Sequence, residues 1–130
     1  MNLKLVLQLS VFGLVMAVAT VFVVPPAVEP LCWLVIFPVC AYLIARRTAG
    51  SYFVHGLLVG ILNSVWITSA HVLLFDQYMA HHPREAEMIA QMPLAPKTMM
   101  LVTGAIVGVV SGIVLGILAL IVHRVVSTRV

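Results

Sequence analysis

"GAIVGVVSGIVLG", residues 104–116, sets Gly104, Gly108, Gly112 and Gly116 four residues apart in an otherwise apolar run. In water a glycine inside a helix costs about 1 kcal/mol relative to alanine, so four in succession need a compensating gain. In lipid that gain is contact. Little hydrophobic force acts between helices there, and small residues let two backbones approach closely. A second stripe repeats the interval: Gly56, Gly60, Ser64 and Thr68. Each step of four advances about 400° around a helix, a drift of about 40° that suits crossing helices. The simplest arrangement docks the two stripes antiparallel within one chain. The rival arrangement uses one stripe internally and the other between subunits.

Composition places this pair in a membrane. Of 130 residues, 63% are hydrophobic and 8% charged, whereas a soluble domain needs about a quarter of its residues charged. The length suits one domain, 1–130. The excess of basic residues sits beside apolar runs with no basic, aromatic-interleaved stripe, which predicts an orientation signal and no nucleic-acid partner.

Four spans are expected, at 5–24, 28–45, 52–75 and 99–122, each close to the length of the hydrocarbon core. The first could instead be a signal peptide, with Lys4 before it and "AVA" at 17–19 as a cleavage site. The apolar run continues past that point, which favours a retained span. Pro38 interrupts the second span, leaving a re-entrant hairpin as its alternative. Cys32 and Cys40 lie about 12 Å apart on one helix, too far for a bridge within it. Lys4, Arg46, Arg47, Arg124 and Arg129 fall on one side of the four spans. Arg84, Lys97 and all four acids fall on the other. This predicts both termini in the cytoplasm, as for a bacterial inner-membrane protein. The loop at 76–98 carries Met88, Ile89 and Met92 on one face, which predicts a short amphipathic helix on the outer interface, opened by Pro83 and ended by Pro93.

Chemistry inside the membrane is sparse. No Asp, Glu, Lys or Arg lies deep in a span, which argues against a proton-coupled exporter. Exporters of the small multidrug-resistance type share this size and span count, but carry a glutamate in the first span. Small fluoride channels have a polar third-span signature with no counterpart here. Asn63 is the most central polar residue and is expected to hydrogen-bond across helices. Ser64, Thr68 and Ser69 are expected to bond back to their own helix. His55 and His123 sit at different depths, a poor match for haem, and no cofactor is expected. Met79, His81, His82, Met88 and Met92 form a candidate Cu(I) set. "MIAQM" is the Met-x-x-x-Met of copper-uptake transporters, although those have three spans and carry the pair inside one. The simpler reading places these methionines on the buried face of an interfacial helix.

Three features carry a resemblance: "ARRTAGSYFVHGLLVGILNS", the "HHPREAEMIAQMP" loop and the glycine-spaced last span. Together they resemble small four-span bacterial integral membrane proteins of uncharacterised function. The resemblance implies an all-α membrane fold and supplies no activity; the expected arrangement is a four-helix bundle. No nucleophile–base or carboxylate pair suggests an enzyme. The expected function is that of an accessory, assembly or structural subunit. It would contact the lipid bilayer, other membrane proteins or copies of itself through its small-residue stripes and outer loop. The alternative is a small homo-oligomeric channel or copper transporter.

Overall fold

The computed structural model of the chain describes residues 1–128; Arg129, counted above with the cytoplasmic charges, lies outside the described residues. Helix makes up 84% of the chain. The helices are α1 (Leu3–Phe22), α2 (Glu29–Arg47), α3 (Tyr52–Leu73), α4 (Phe75–His81), α5 (Pro83–Ala90) and α6 (Pro96–Ser127), with no strand among the described residues. α1, α2, α3 and α6 are long and apolar enough to cross a membrane. At 32 residues, α6 rises about 48 Å, well beyond the roughly 30 Å hydrocarbon core.

Local chemistry sets the boundaries. The Asn2 side chain accepts the Leu5 N–H at 3.0 Å and starts α1 two residues earlier than hydropathy predicts. Pro25 and Pro26 follow its end. Prolines stand in the first turn of α2, α5 and α6, where the missing N–H leaves no helix bond unmade. Between α2 and α3 the chain turns through Gly50 at φ 147° and Ser51 at φ 52°. A non-glycine residue in the left-handed region is strained by roughly 1–2 kcal/mol. Where the sequence predicts one helix in the long connection, the structure has two, because the backbone breaks at Leu74 and resumes helical geometry through His81.

The four long helices alternate in direction. The Asn2 N–H donates to His55 Nε2 at 2.9 Å, and the Tyr52 ring stacks on His123 at 3.9 Å. These contacts join the start of α1, the start of α3 and the end of α6. Lys4, Arg46, Arg47 and Arg124 therefore gather at this termini end. Glu29, Asp76, Arg84, Glu85, Glu87 and Lys97 lie at the opposite, loop end.

α3 packs closely on α6 and on α1, while α2 packs mainly on α6 and only sparsely on α1 and α3. The core occupies the termini half, where Leu5, Val6 and Leu9 meet Cys40, Ile44 and Leu115. Pro38 divides α2. Beyond it Cys40, Ala41, Ile44 and Ala45 are buried; before it no residue of the helix is. Pro38 has no N–H for the Leu34 carbonyl, so the helix is weakest where its buried half ends. Both cysteines are free thiols.

Candidate functional site

The seam between α3 and α6 accounts for the glycines. A Cβ built on Gly56 would lie 2.6 Å from the Gly116 Cα, and one on Gly60 would overlap the Gly112 backbone. One turn further, a Cβ on Gly108 would stand 2.9 Å from the Ser64 Cβ, and one on Gly104 would overlap the Thr68 side chain. Each step of four along α3 is matched by a step of four back along α6, so the two stripes meet within a single chain.

Ser64 departs from the sequence reading. Its hydroxyl donates to the Gly104 carbonyl of α6 at 2.6 Å, not to its own helix. The reason is Gly108. A helical carbonyl points toward the residue four positions on, and with no side chain at 108 the way to the Gly104 oxygen is open. A bond of this kind between membrane helices contributes about 1 kcal/mol. Ser64→Ala is expected to lower the unfolding free energy by that amount, measured by titration of the detergent-solubilised chain with SDS. A Thr68→Val comparison would separate this bond from simple hydroxyl loss.

Asn63 also departs from expectation. It is 3% exposed, yet neither its amide nitrogen nor its amide oxygen has a hydrogen-bond partner among the described residues. The cause is Gly13 of α1, where a Cβ would lie 2.5 Å from both the Asn63 Cα and its Oδ1. Gly13 lets α1 close onto α3 but offers the amide only C–H groups. This glycine was legible in the sequence as the lone glycine of the first span, and it passes unnoticed when only repeated glycines are sought.

Both ring nitrogens of His55 are engaged. Nδ1 donates to the Ser51 carbonyl at 2.8 Å and Nε2 accepts the Asn2 N–H at 2.9 Å. Since a carbonyl only accepts and an N–H only donates, these partners define a neutral ring with the proton on Nδ1. His123 lies against Tyr52 instead of sharing a ligand site with His55. In the connection, His81 Nδ1 and His82 Nδ1 donate to the Gln77 and Tyr78 carbonyls at 2.8 Å each. No three His, Cys, Asp or Glu side chains converge as a metal site among the described residues. Met79 is only half-buried, while Met88 and Met92 border a cleft.

That cleft is a sizeable cavity. It encloses about 580 Å³ in the loop half, between α2, α3, α5 and α6. Trp33 and Phe37 of α2 form one wall in an edge-to-face pair with ring centroids 5.7 Å apart. Met99, Met100 and Val107 of α6 form another, with Ile67 of α3 between them. Met88 and Ile89 of α5 cover it from the loop end, and Asn63 and Ser111 border its deep end. It is open where Thr103, Val107 and Met88 remain exposed. Glu29 and Glu85, both half-buried, stand at its rim.

Three aromatic rings stiffen the rim. Tyr78 lies between His71 and His82, each stacked at a centroid distance of 4.1 Å. His71 Nε2 contacts the Thr20 hydroxyl at 2.9 Å, and Thr20 donates to the Met16 carbonyl at 2.8 Å. Nε2 is therefore the donor in the assignment that satisfies both contacts. This ties α3 to α1, and the stacked rings carry the tie on to the connection.

Burial, then the neighbouring Glu85 and Glu29 carboxylates, push the Tyr78 phenol from 10.0 up to about 12. The folded chain thus holds a proton that the unfolded chain releases first. Tyr78 leaves stability unchanged below pH 10 and lowers it as pH rises from 10 toward 12. Thermal unfolding across that window should show a decline that Tyr78→Phe reduces.

Comparison of the chain with protein-family models, with curated proteins and with solved structures finds no match.

Proposed function

We propose that the chain is a small polytopic inner-membrane protein, a four-helix bundle with both termini in the cytoplasm and α5 lying on the outer interface. It acts without catalysis, through lateral contacts, as an accessory, assembly or structural subunit. Grouping of Lys4, Arg46, Arg47 and Arg124 at the termini end supports the orientation. The position of α5 is supported by its exposed Arg84 and Glu87 beside Met88 and Ile89, which border the cleft.

The observation that carries the reading is the sealed termini half. Below Asn63 the centre is filled by Val59, Ile44, Cys40 and Leu115, each 0% exposed. An apolar plug across the middle of one chain leaves it only its sides to work with. The glycine stripes are already used between α3 and α6. Contacts with a partner therefore fall to the exposed faces of α1, α2 and α6 and to the loop half.

Native mass spectrometry after gentle extraction from the source membrane, without overexpression, tests the reading. A complex containing other membrane proteins is the expected result. A chain found only alone or as a homo-oligomer overturns it. A copper transporter is the second reading, favoured by Met88, Met92, Met99 and Met100 bordering one cleft with His71. It requires Cu(I) to compete with a chromophoric chelator for the chain, and loss of that competition when Met88 and Met92 become leucine.

A further inference from the structure

The loop-half cleft has the dimensions and lining of a small-molecule site. Its volume of about 580 Å³ falls within the 300–1,000 Å³ typical of such pockets. Its walls are apolar and aromatic, and its methionines are flexible enough to fit an irregular body. Its charge has one sign. Glu29 comes from the first turn of α2 and Glu85 from the first turn of α5, and among the described residues no Lys or Arg borders the cavity. Trp33 and Phe37, on the same wall as Glu29, supply aromatic surface suited to a poorly hydrated cation. Glu29, Tyr78 and Glu85 all line this one cleft.

We propose that this cleft binds an amphipathic organic cation, its charged centre held between Glu29 and Glu85 and its apolar body against Trp33, Phe37 and the methionines. The proposal goes beyond the accessory-subunit reading and rests only on the loop end facing a membrane interface. An anion would meet two carboxylates and no counter-charge. A neutral chain would fill the volume but leave both carboxylates half-buried beside lipid with no counter-charge, Glu29 accepting only the Trp33 indole N–H at 3.4 Å, an arrangement that membranes penalise. A cation satisfies both the volume and the charge.

The test uses the full chain in phosphatidylcholine nanodiscs, with Trp66→Phe so that Trp33 is the sole tryptophan. Tetraphenylphosphonium and tetraphenylborate are the probes, near-identical in shape and opposite in charge. Saturable quenching of Trp33 by the phosphonium, without saturable quenching by the borate, is the expected result. Glu29→Gln with Glu85→Gln should weaken phosphonium binding at least about tenfold, since it removes both negative charges that attract the cation. The circular dichroism of that variant should match the parent. Ile67→Trp, read by radiolabelled phosphonium binding, should block the cleft. No saturable phosphonium binding, equal binding of the borate, or unchanged affinity in a folded Glu29/Glu85 variant would each overturn the proposal. Failure here leaves the mass-spectrometric test of the accessory-subunit reading untouched.

Discussion

Gly60→Leu and Gly112→Leu are each expected to leave no folded chain recoverable from the membrane. At these positions the neighbour is backbone: the Gly112 main chain for Gly60, and the Leu57 carbonyl at 2.6 Å for a Cβ on Gly112. A crowded side chain can rotate away, whereas a crowded backbone must carry its whole helix with it. Overpacking in a core costs about 1–3 kcal/mol even when side chains can yield, so separation of α3 from α6 should exceed about 3 kcal/mol. Gly108→Leu should also disrupt the fold. Gly108→Ala should be milder than Gly112→Ala, because its nearest neighbour is the Ser64 side chain, 2.9 Å away. Val109→Leu, on a face 49% exposed, serves as the control. Size-exclusion profiles and thermal melts in detergent measure the series. Native behaviour of both the Gly60 and Gly112 leucine variants would end the close-packing account.

Leu115→Ala is expected to cost about 2–3 kcal/mol, and Leu101→Ala close to nothing. Leu115 is 0% exposed at the centre of the core, while Leu101 is 55% exposed on the same helix. In water both truncations would also lose hydrophobic transfer energy. In lipid that term nearly vanishes, since acyl chains are as apolar as leucine, and the cost that remains is the unfilled space and its lost contacts. The contrast therefore tests the solvent as well as the packing. SDS titration of the two variants reads it directly; a comparable loss from Leu101→Ala would place that face against protein.

The four apolar runs are helices, and hydropathy located each to within a few residues, because a span must be long and apolar whatever it packs against. The four-residue interval of the glycines was equally plain. The pairing of Gly56 with Gly116 and of Thr68 with Gly104 was not, because register between distant segments is three-dimensional. α4 escaped notice for a local reason: "FDQYMAH" has neither a capping residue nor a clear apolar period. The stack of His71, Tyr78 and His82 crosses the break at Leu74, so no count along one helix face joins its members. The cleft was invisible for the same reason on a larger scale. Trp33, Ile67, Glu85 and Met100 belong to four helices, and only their packing reveals a shared space. Ser64 was misread because the oxygen it reaches is exposed by a missing side chain on another helix.

The sparse contact of α2 with its sequence neighbours has a biosynthetic consequence. Chains emerge N-terminus first, at about 5–20 residues per second. α1 meets its partner as soon as α3 is inserted, but α2 packs mainly on α6, the last helix made. For the seconds between, α2 has only its sparse contacts with α1 and α3, and Cys40, Ala41 and Ile44 lack the Leu115 and Ala119 side of their core. α3 waits too, its small-residue stripe uncovered. A ribosome stalled before residue 96 would leave α1 and α3 paired and α2 only loosely held, and the cleft would come into being only as α6 arrives to close the assembly.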